Sequence, residues 1–167
     1  MKVEKIRVES NYTIFPKNMN RHNTLFGGQI LYWLDEVTSM TIRKYSRLKF
    51  VTASVDSYQF IDAVYMDEIL KIKSYISRVG NRSVEIFAEV SSYCTKTDTE
   101  RLVGLSFMTF ALMPNENIVE KLEEIEYENP LEIFVAQSYN DRKNNIISSR
   151  EFTKEYMKKY KKMQESK

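Results

Sequence analysis

The residues with the clearest chemical potential lie between Asn20 and Asp35, in the stretch NRHNTLFGGQILYWLD. A Gly27-Gly28 pair stands where a loop gives way to a predicted amphipathic helix that carries Asp35. Glycine lets another molecule approach the backbone closely, and the first NH groups of a helix lack internal partners and carry partial positive charge. A helix start of this kind can polarise a carbonyl group or hold an anion.

The spacing of these groups indicates a site shared by two chains. Gly28 and Asp35 lie on the same side of the helix, two turns and about 10.5 Å apart along its axis. One copy of the chain cannot bring both groups to one bond, so two helices would have to lie antiparallel across a two-fold axis. NH donors for a carbonyl oxygen, a carboxylate to accept a proton from water and an amide such as Asn20 to orient that water suit hydrolysis of an acyl derivative.

Other catalytic chemistries have little support in the sequence. His22 is the only histidine and Cys94 the only cysteine, and no G-x-S-x-G motif occurs. A single cysteine cannot form an internal disulfide, and one cysteine with one histidine argues against a structural zinc site. Neither G-x-G-x-x-G nor a Walker sequence is present, so nucleotide chemistry has no local support. We therefore expect no metal and no separate cofactor.

The candidate residues need a strand and a long helix to position them. Alternation of apolar and polar residues over 4–15 predicts a strand, and an asparagine-rich turn follows over 16–24. A helix is predicted from about Gly28 to Tyr45. Its buried stripe is predicted from helical spacing and consists of Ile30, Trp33, Leu34, Val37 and Thr41.

The rest of the predicted domain is a sheet. Gly80-Asn81 predicts a two-residue hairpin turn, since both residues tolerate positive φ. One helix against a mostly antiparallel sheet is an α+β architecture, and the second face of the sheet then needs cover from elsewhere. The stretches with strand character are Phe50–Phe60, Glu68–Val79, Arg82–Thr95 and Arg101–Met113.

Charge and composition limit the choice of partner and compartment. The chain has 167 residues and a net charge of +2, which suits one domain and gives little reason to expect nucleic acid. No apolar run approaches the roughly 20 residues that span a bilayer, and the N-terminus MKVEKIRVES is too polar for a signal peptide. We expect no membrane partner and a cytoplasmic protein.

The character of the chain changes after Pro114. Residues 116–132 hold seven acidic residues against one lysine, and residues 150–167 hold seven basic residues against three acidic ones. We predict a domain over 1–114 and a charged, helical C-terminal extension over 115–167. Its two charged segments are interpreted as solvated; docking of the acidic segment on the basic one, or between subunits, is the alternative.

Three runs resemble the acyl-CoA hydrolase branch of the hotdog-fold thioesterases: Asn20–Glu36, Val51–Asp56 with Phe60, and Val79–Ser83. The likeness spans about residues 5–113. It implies a hotdog fold, in which a curved antiparallel sheet wraps one long central helix. It also implies homodimers with two active sites at the shared face, often assembled into tetramers or hexamers. The substrate would be an acyl-CoA, with coenzyme A as part of substrate and product.

The resemblance assigns roles to individual residues. Asp35 matches the acidic catalytic residue, and Asn20 matches the asparagine that faces it from the partner chain. Gly27 and Gly28 match the glycines whose NH groups bind the thioester oxygen, and Phe60 is expected beside the substrate.

The resemblance also implies contacts with coenzyme A and one main function. Asn81, Arg82 and Ser83 match positions that commonly meet the coenzyme A moiety, and arginine suits its phosphates. The expected function is hydrolysis of acyl-CoA to a free acid and coenzyme A. A non-catalytic acyl-CoA sensor on the same fold is the alternative, and a hydratase, which would need His22, ranks third.

Two departures from the family pattern concern the candidate site. Where relatives often have glycine three residues after the asparagine, this chain has Asn23, so either Asn20 or Asn23 could be the assisting amide. Asn23 is expected to act as a cap beside the helix. Where relatives often have proline and then Gly-Asp after the strand's phenylalanine, this chain has Ala63 and Asp67-Glu68.

Overall fold

A computed structural model of the chain describes residues 1–114, 116 and 122–144. The elements are β1 (Val8–Thr13), α1 (Gly27–Tyr45), β2 (Phe50–Phe60), β3 (Glu68–Val79), β4 (Ser83–Cys94), β5 (Thr99–Leu112) and α2 (Pro130–Gln137). The predicted order of one strand, one long helix and four strands is confirmed. In these described residues, no helix combines the length and the apolar character that crossing a bilayer requires.

The strands form one sheet in the order β1-β3-β4-β5-β2, and each neighbouring pair is antiparallel. Because β2 lies at an edge of the sheet, β5 is its only hydrogen-bonding partner among the strands that the structure describes. Val51 and Val55 on this edge strand are 47% and 49% exposed. An open edge that carries exposed apolar side chains is a surface that another chain can cover.

Helix α1 packs on the inner face of the sheet because one side of it is continuously apolar. The Trp33 ring stacks on Tyr12 of β1 with 4.4 Å between ring centroids. The opposite side of α1 exposes Leu31, Tyr32 and Asp35. The predicted buried stripe is confirmed in full, as Ile30, Trp33, Leu34, Val37 and Thr41.

The core between α1 and the sheet is built from alternate residues of the central strands, as the period of two requires. These side chains point towards α1, while their neighbours in sequence point to the outer face. The fully or almost fully buried strand residues are Leu70, Ile72, Ile76, Val84, Ile86, Val90, Met108 and Phe110, and they share this core with Leu34 and Val37 of α1.

The predicted need for cover on the outer face of the sheet is met by the two ends of the described chain. Val3 and Val135 of α2 pack there against Tyr75 and Phe87 in a second apolar cluster. Residues 122–128 run beside the N-terminal segment, where the Val3 NH donates to the Glu126 carbonyl at 3.1 Å.

Ion pairs hold residues 122–144, here called the covering segment, against the rest of the chain. Its acidic residues are therefore not simply solvated, as they were interpreted above. Glu132 is buried and pairs with Arg7, while Lys2 pairs with Glu128 at 2.5 Å. Arg142 in turn reaches the buried carboxylate of Glu85. The acidic segment thus contacts basic residues at the start of the chain. Its alternative docking on the basic segment, residues 150–167, lies outside the described residues.

The first strand is shorter than predicted. The prediction covered residues 4–15, whereas β1 spans Val8–Thr13 and a 3₁₀ turn occupies Val3–Lys5. The reason is that Val3 is buried in the outer-face cluster and Ile6 in the inner core. The chain must turn between these residues to pass from one face of the sheet to the other.

The hairpin between β3 and β4 is confirmed, but its predicted turn is wrong. The last pair of the ladder is Val79 with Val84, and the Gly80 NH donates to the Ser83 carbonyl at 2.8 Å. Neither Gly80 nor Asn81 has a positive φ. Four residues make the connection, and a loop of this length does not need the mirror-image geometry of a two-residue turn.

Candidate active site

Helix α1 begins at the predicted glycine pair. Backbone hydrogen bonds fix its approach: the Leu25 NH donates to the Val64 carbonyl at 2.7 Å, and the Phe26 NH donates to the Asn18 carbonyl at 2.9 Å. Phe26 is the N-cap residue, and no side chain in the described part of the chain caps the helix. Among the described residues, the NH groups of Gly27 and Gly28 therefore have no protein acceptor, which leaves two adjacent donors at the positive end of the helix.

A cavity of about 950 Å³ opens at this helix start. Asn20, Gly27 and Phe60 all line it, so the structure brings three of the predicted site residues together. A Cβ atom on Gly27 would lie 3.0 Å from Cζ of Phe60, so a side chain at this position would crowd the Phe60 ring. Gly28 does not line the cavity; a Cβ there would meet the exposed ring of Phe26.

Asn20 stabilises the loop before the helix through hydrogen bonds from both the oxygen and the nitrogen of its side-chain amide. Its Oδ1 accepts from the NH groups of His22 at 2.8 Å and Thr24 at 3.2 Å, and its Nδ2 donates to Thr24 Oγ1 at 2.9 Å. An amide oxygen has two lone pairs and an amide nitrogen has two hydrogens. One N–H of Asn20 thus remains for a ligand, so this residue can act as a donor but not as an acceptor.

One residue in each departure from the family pattern has the same structural explanation, while nothing in the structure explains Ala63 in place of proline. Asn23 and Asp67 have φ angles of 58° and 73°, in the left-handed region. Glycine adopts this conformation freely, and Asn and Asp tolerate it better than other residues with side chains. The expectation that Asn23 caps the helix is wrong, because Asn23 forms a turn before the helix and the N-cap residue is Phe26. Of the two asparagines, Asn20 lines the cavity and Asn23 does not.

Asp35 lies on the exposed side of α1, although several of its sequence neighbours are apolar. The neighbours differ in direction: Leu34 and Ile42 point into the core, while Leu31 is 38% exposed. Thr52 of β2 donates its hydroxyl to Asp35 Oδ1 at 2.7 Å. This bond orients the carboxylate and leaves Oδ2 without a partner among the described residues, so it is available to a water molecule.

The predicted coenzyme A residues lie at the other end of the protomer. Asn81, Arg82 and Ser83 are exposed, and Arg82 Nη2 donates to the Met113 carbonyl at 3.2 Å. Met113 is bonded to the start of β2 through Lys49, whereas Phe60 ends that strand. An eleven-residue strand separates its ends by roughly 30 Å. A single protomer thus keeps these residues far from the cavity at Gly27.

Sequence reasoning missed the residues that hold the cavity's rim. Arg101 of β5 donates from Nη1 and Nη2 to the two carboxylate oxygens of Glu68 at 2.7 and 3.0 Å. It also donates to Asp62 at 2.8 Å and to the Ala63 carbonyl at 2.6 Å. A lone arginine in a strand carries no motif, so only the folded chain reveals that it fixes the loop beside the cavity.

Burial alone would raise the pKa of the Glu68 carboxyl, but hydrogen bonds from Arg101, the Tyr65 NH and Ser92 outweigh it and hold that pKa below its usual range. A depressed carboxyl pKa means that the unfolded chain binds the proton first. The stability that the network contributes is therefore complete above the unfolded-state pKa and is lost as the pH falls through the folded-state pKa.

Replacing Arg101 by alanine is expected to lower the free energy of unfolding by about 3 kcal/mol at pH 7, because it leaves the buried Glu68 carboxylate without a cation. The deficit should shrink at acidic pH, because a protonated Glu68 carboxyl no longer needs a cation. Urea unfolding at pH 7 and at acidic pH measures it. Lys96→Ala, which removes an exposed partner of Asp67, is the control and should cost less than about 1 kcal/mol. Equal losses for the two variants would contradict the assignment.

Comparison with known proteins agrees with this geometry. The family model described as thioesterase superfamily matches residues 22–95. The uncharacterized acyl-CoA thioester hydrolase YkhA of Bacillus subtilis is 31% identical over 142 residues, which cover 83% of each chain. The crystal structure of an acyl-CoA hydrolase from Bacillus cereus is 28% identical, covers 93% of this chain and 94% of its own, and superposes with a TM-score of 0.85. An apo-hexameric acyl-CoA thioesterase is 25% identical, with coverages of 90% and 96% and a TM-score of 0.83.

The fold and the glycine-led helix thus define a hotdog-fold thioesterase, and the predicted α+β class is confirmed. Within that class, the chain belongs to the acyl-CoA thioester hydrolase family.

Proposed function

We propose that this protein is an acyl-CoA thioesterase that hydrolyses acyl-CoA to a free carboxylic acid and coenzyme A at sites shared by two protomers. The observation that carries the proposal is the placement of two groups on one helix. The uncapped NH groups at Gly27 and Gly28 and the carboxylate of Asp35 face solvent on α1. They can meet at one thioester only when a second copy supplies the other half.

The exposed side chains of α1 support this dimer. If each Asp35 faces the partner's Gly28 across a two-fold axis, the axis passes midway between these positions, beside Leu31 and Tyr32. Leu31 and Tyr32 are 38% and 65% exposed in the single protomer. Each would pack on its own copy at the axis, which removes apolar surface from water where the geometry requires contact.

The edge strand supports the same face. Thr52, which orients Asp35, lies on β2 between the exposed Val51 and Val55. A partner that covers α1 also meets this open edge and would exclude water from around the carboxylate. The related thioesterase that forms hexamers supports further assembly of such dimers here.

In this mechanism, Asp35 Oδ2 accepts a proton from water as the water oxygen attacks the thioester carbonyl carbon. The carbonyl oxygen takes up the negative charge and is held by the partner's NH groups at Gly27 and Gly28. The free N–H of the partner's Asn20 adds a third donor. The carbon–sulfur bond then breaks, and the proton on Asp35 passes to the departing thiolate. Atoms and charge balance without a metal, a cofactor or a covalent intermediate, and we propose that none is used and that the enzyme works in the cytoplasm.

Release of free thiol from acyl-CoAs of increasing chain length tests the proposal. The wild-type protein should turn over repeatedly with at least one chain length, and inclusion of a chelator should leave the rate unchanged. A protein that binds acyl-CoA stoichiometrically without releasing thiol would instead be a sensor, and the proposal would fail. The chain-length profile also defines the acyl group that the cavity beside Phe60 accepts.

A further inference from the structure

The hydroxyl of Tyr58 is buried and has no hydrogen-bond partner among the described residues. Tyr58 lies on β2 opposite Ser106 of β5, and its ring leans over Gly104. A Cβ atom on Gly104 would come within 2.1 Å of the Tyr58 hydroxyl oxygen. Burial raises the pKa of Tyr58 to about 12, so the hydroxyl stays protonated at neutral pH. It therefore adds length to the side chain but no hydrogen bond within the described protomer.

Small residues on β5 leave the space that the Tyr58 ring occupies. The residues of β5 that face α1 are Gly104, Ser106, Met108 and Phe110. Met108 reaches α1, where its sulfur lies 3.5 Å from the hydroxyl of Thr38. Gly104 and Ser106 are too short to do the same. The volume above these two residues is filled from β2, by the ring of Tyr58.

Tyr58 also ends a row of contacts that starts at the proposed position of the thioester carbonyl. The NH group of Gly27 lacks an acceptor among the described residues, and Gly27 lies against the ring of Phe60. The Phe60 ring meets the Tyr58 ring edge-on, with 4.4 Å between the ring centroids. The other apolar residues that line this cavity are Leu25, Phe26, Ile30, Ile61 and Val64. An acyl chain whose carbonyl oxygen is held at Gly27 therefore passes Phe60 and then meets Tyr58.

We infer that the ring of Tyr58 closes the inner end of the acyl-binding cavity and limits this protein to short acyl groups. The inference rests on the proposed function, because it needs a thioester whose carbonyl lies at the helix start. A chain that ends beside Phe60 fits without any change in the protein. A longer chain has to displace the Tyr58 ring, which packs against Phe60 on one side and over Gly104 on the other. Dense packing makes this displacement unfavourable.

A series of substitutions at Tyr58 tests the inference. Thiol release is measured with saturated acyl-CoAs from acetyl to palmitoyl, and wild-type kcat/KM should fall sharply beyond a short acyl group. In Tyr58→Ala, kcat/KM for the first acyl group that the wild type rejects should rise at least about tenfold, because each newly buried methylene group contributes about fourfold. Tyr58→Leu and Tyr58→Phe remove less volume and should give progressively smaller rises. The leucine variant decides the question if the alanine variant does not fold.

A side chain on the facing strand can refill the same space. Gly104 has no positive φ, so its backbone conformation is open to other residues. A side chain there would point into the volume that Tyr58→Ala empties. The double variant Tyr58→Ala with Gly104→Leu should therefore return the chain-length limit to that of the wild type. A change in stability cannot imitate this result, because only a group in the same space restores the limit.

Tyr93→Ala is the matched control. It removes a tyrosine of the same sheet whose hydroxyl donates to Asp98 at 2.7 Å and which does not line the cavity, so its chain-length profile should match that of the wild type. A wild-type profile in Tyr58→Ala would overturn the inference, as would a wild type that hydrolyses long and short acyl groups equally well. A rise in Tyr58→Phe as large as that in Tyr58→Ala would also overturn it, because the hydroxyl and not the volume of the ring would then set the limit.

Failure of the proposed function would be seen separately. If no form of the protein releases thiol, the proposed function fails, and calorimetric titration with S-alkyl-CoA thioethers decides the inference. These compounds have no carbonyl group and are not hydrolysed. A Kd for the long-chain thioether that is at least about tenfold lower in Tyr58→Ala than in the wild type supports the inference, and equal Kd values refute it.

Discussion

Replacing Asp35 by asparagine is expected to lower kcat for acyl-CoA hydrolysis by about 10²-fold or more, with a smaller change in KM. Asparagine keeps the size of the side chain and an oxygen that can accept from Thr52. It cannot take a proton from water, so the variant loses general-base catalysis and little else. Because Asp35 is exposed in the protomer, the substitution should not impair folding.

The neighbouring residue provides a matched control. Glu36 is also an exposed carboxylate on α1, and its Oε2 accepts from the hydroxyl of Tyr12 at 3.0 Å. Glu36→Gln should therefore retain turnover close to wild type. Thiol release gives the rates, and circular dichroism with gel filtration establishes that both variants are folded and equally assembled. Normal turnover in Asp35→Asn would remove this residue from the mechanism.

Two inactive variants should restore activity when they share a dimer. Gly27→Val places a branched side chain against Phe60, since even a Cβ would come within 3.0 Å of that ring, and it blocks the helix start. Asp35→Asn removes the carboxylate. In a heterodimer of these two chains, one site combines the intact Gly27 of one chain with the intact Asp35 of the other. Such heterodimers, isolated with two different affinity tags, should show about half of wild-type activity, because one of the two equivalent sites is intact.

A second pairing makes the result decisive. A chain with both substitutions, paired with a wild-type chain, leaves each shared site with one defect, so this heterodimer should be inactive. If each protomer instead carried a complete site, the outcomes would be reversed: the first heterodimer would be inactive and the second would keep about half of the activity. The two measurements therefore separate shared from unshared sites without relying on the size of any single effect.

Local signals predicted the elements of this fold well. The stripe on α1 was predicted because helical spacing and burial agree at each position, from Ile30 to Thr41. The strands β2 and β3 begin and end at the predicted residues, and β3 is bounded by Asp67 and Gly80, which are residues typical of turns. The helix start at Gly27 was placed within one residue because glycines and asparagines interrupt both flanking patterns.

Features that depend on distant contacts were not predictable in the same way. Exposure of Asp35 depends on which side of α1 meets the sheet, and its sequence neighbours include residues of both sides. Thr52 lay within a recognised run, yet its role required the distance to Asp35 across two elements. Arg101 contacts groups more than thirty residues away, so no local pattern could indicate it.

The covering segment has a consequence for how this protein can be handled. The change in composition after Pro114 invites truncation there, but the described residues beyond it shield Tyr75 and Phe87 and supply Arg142 to Glu85. A chain shortened at this point would expose an apolar surface with an unpaired carboxylate to solvent and would tend to self-associate. A protein truncated at that point would form non-specific aggregates as well as functional oligomers. The oligomeric state is therefore best measured with the full-length chain.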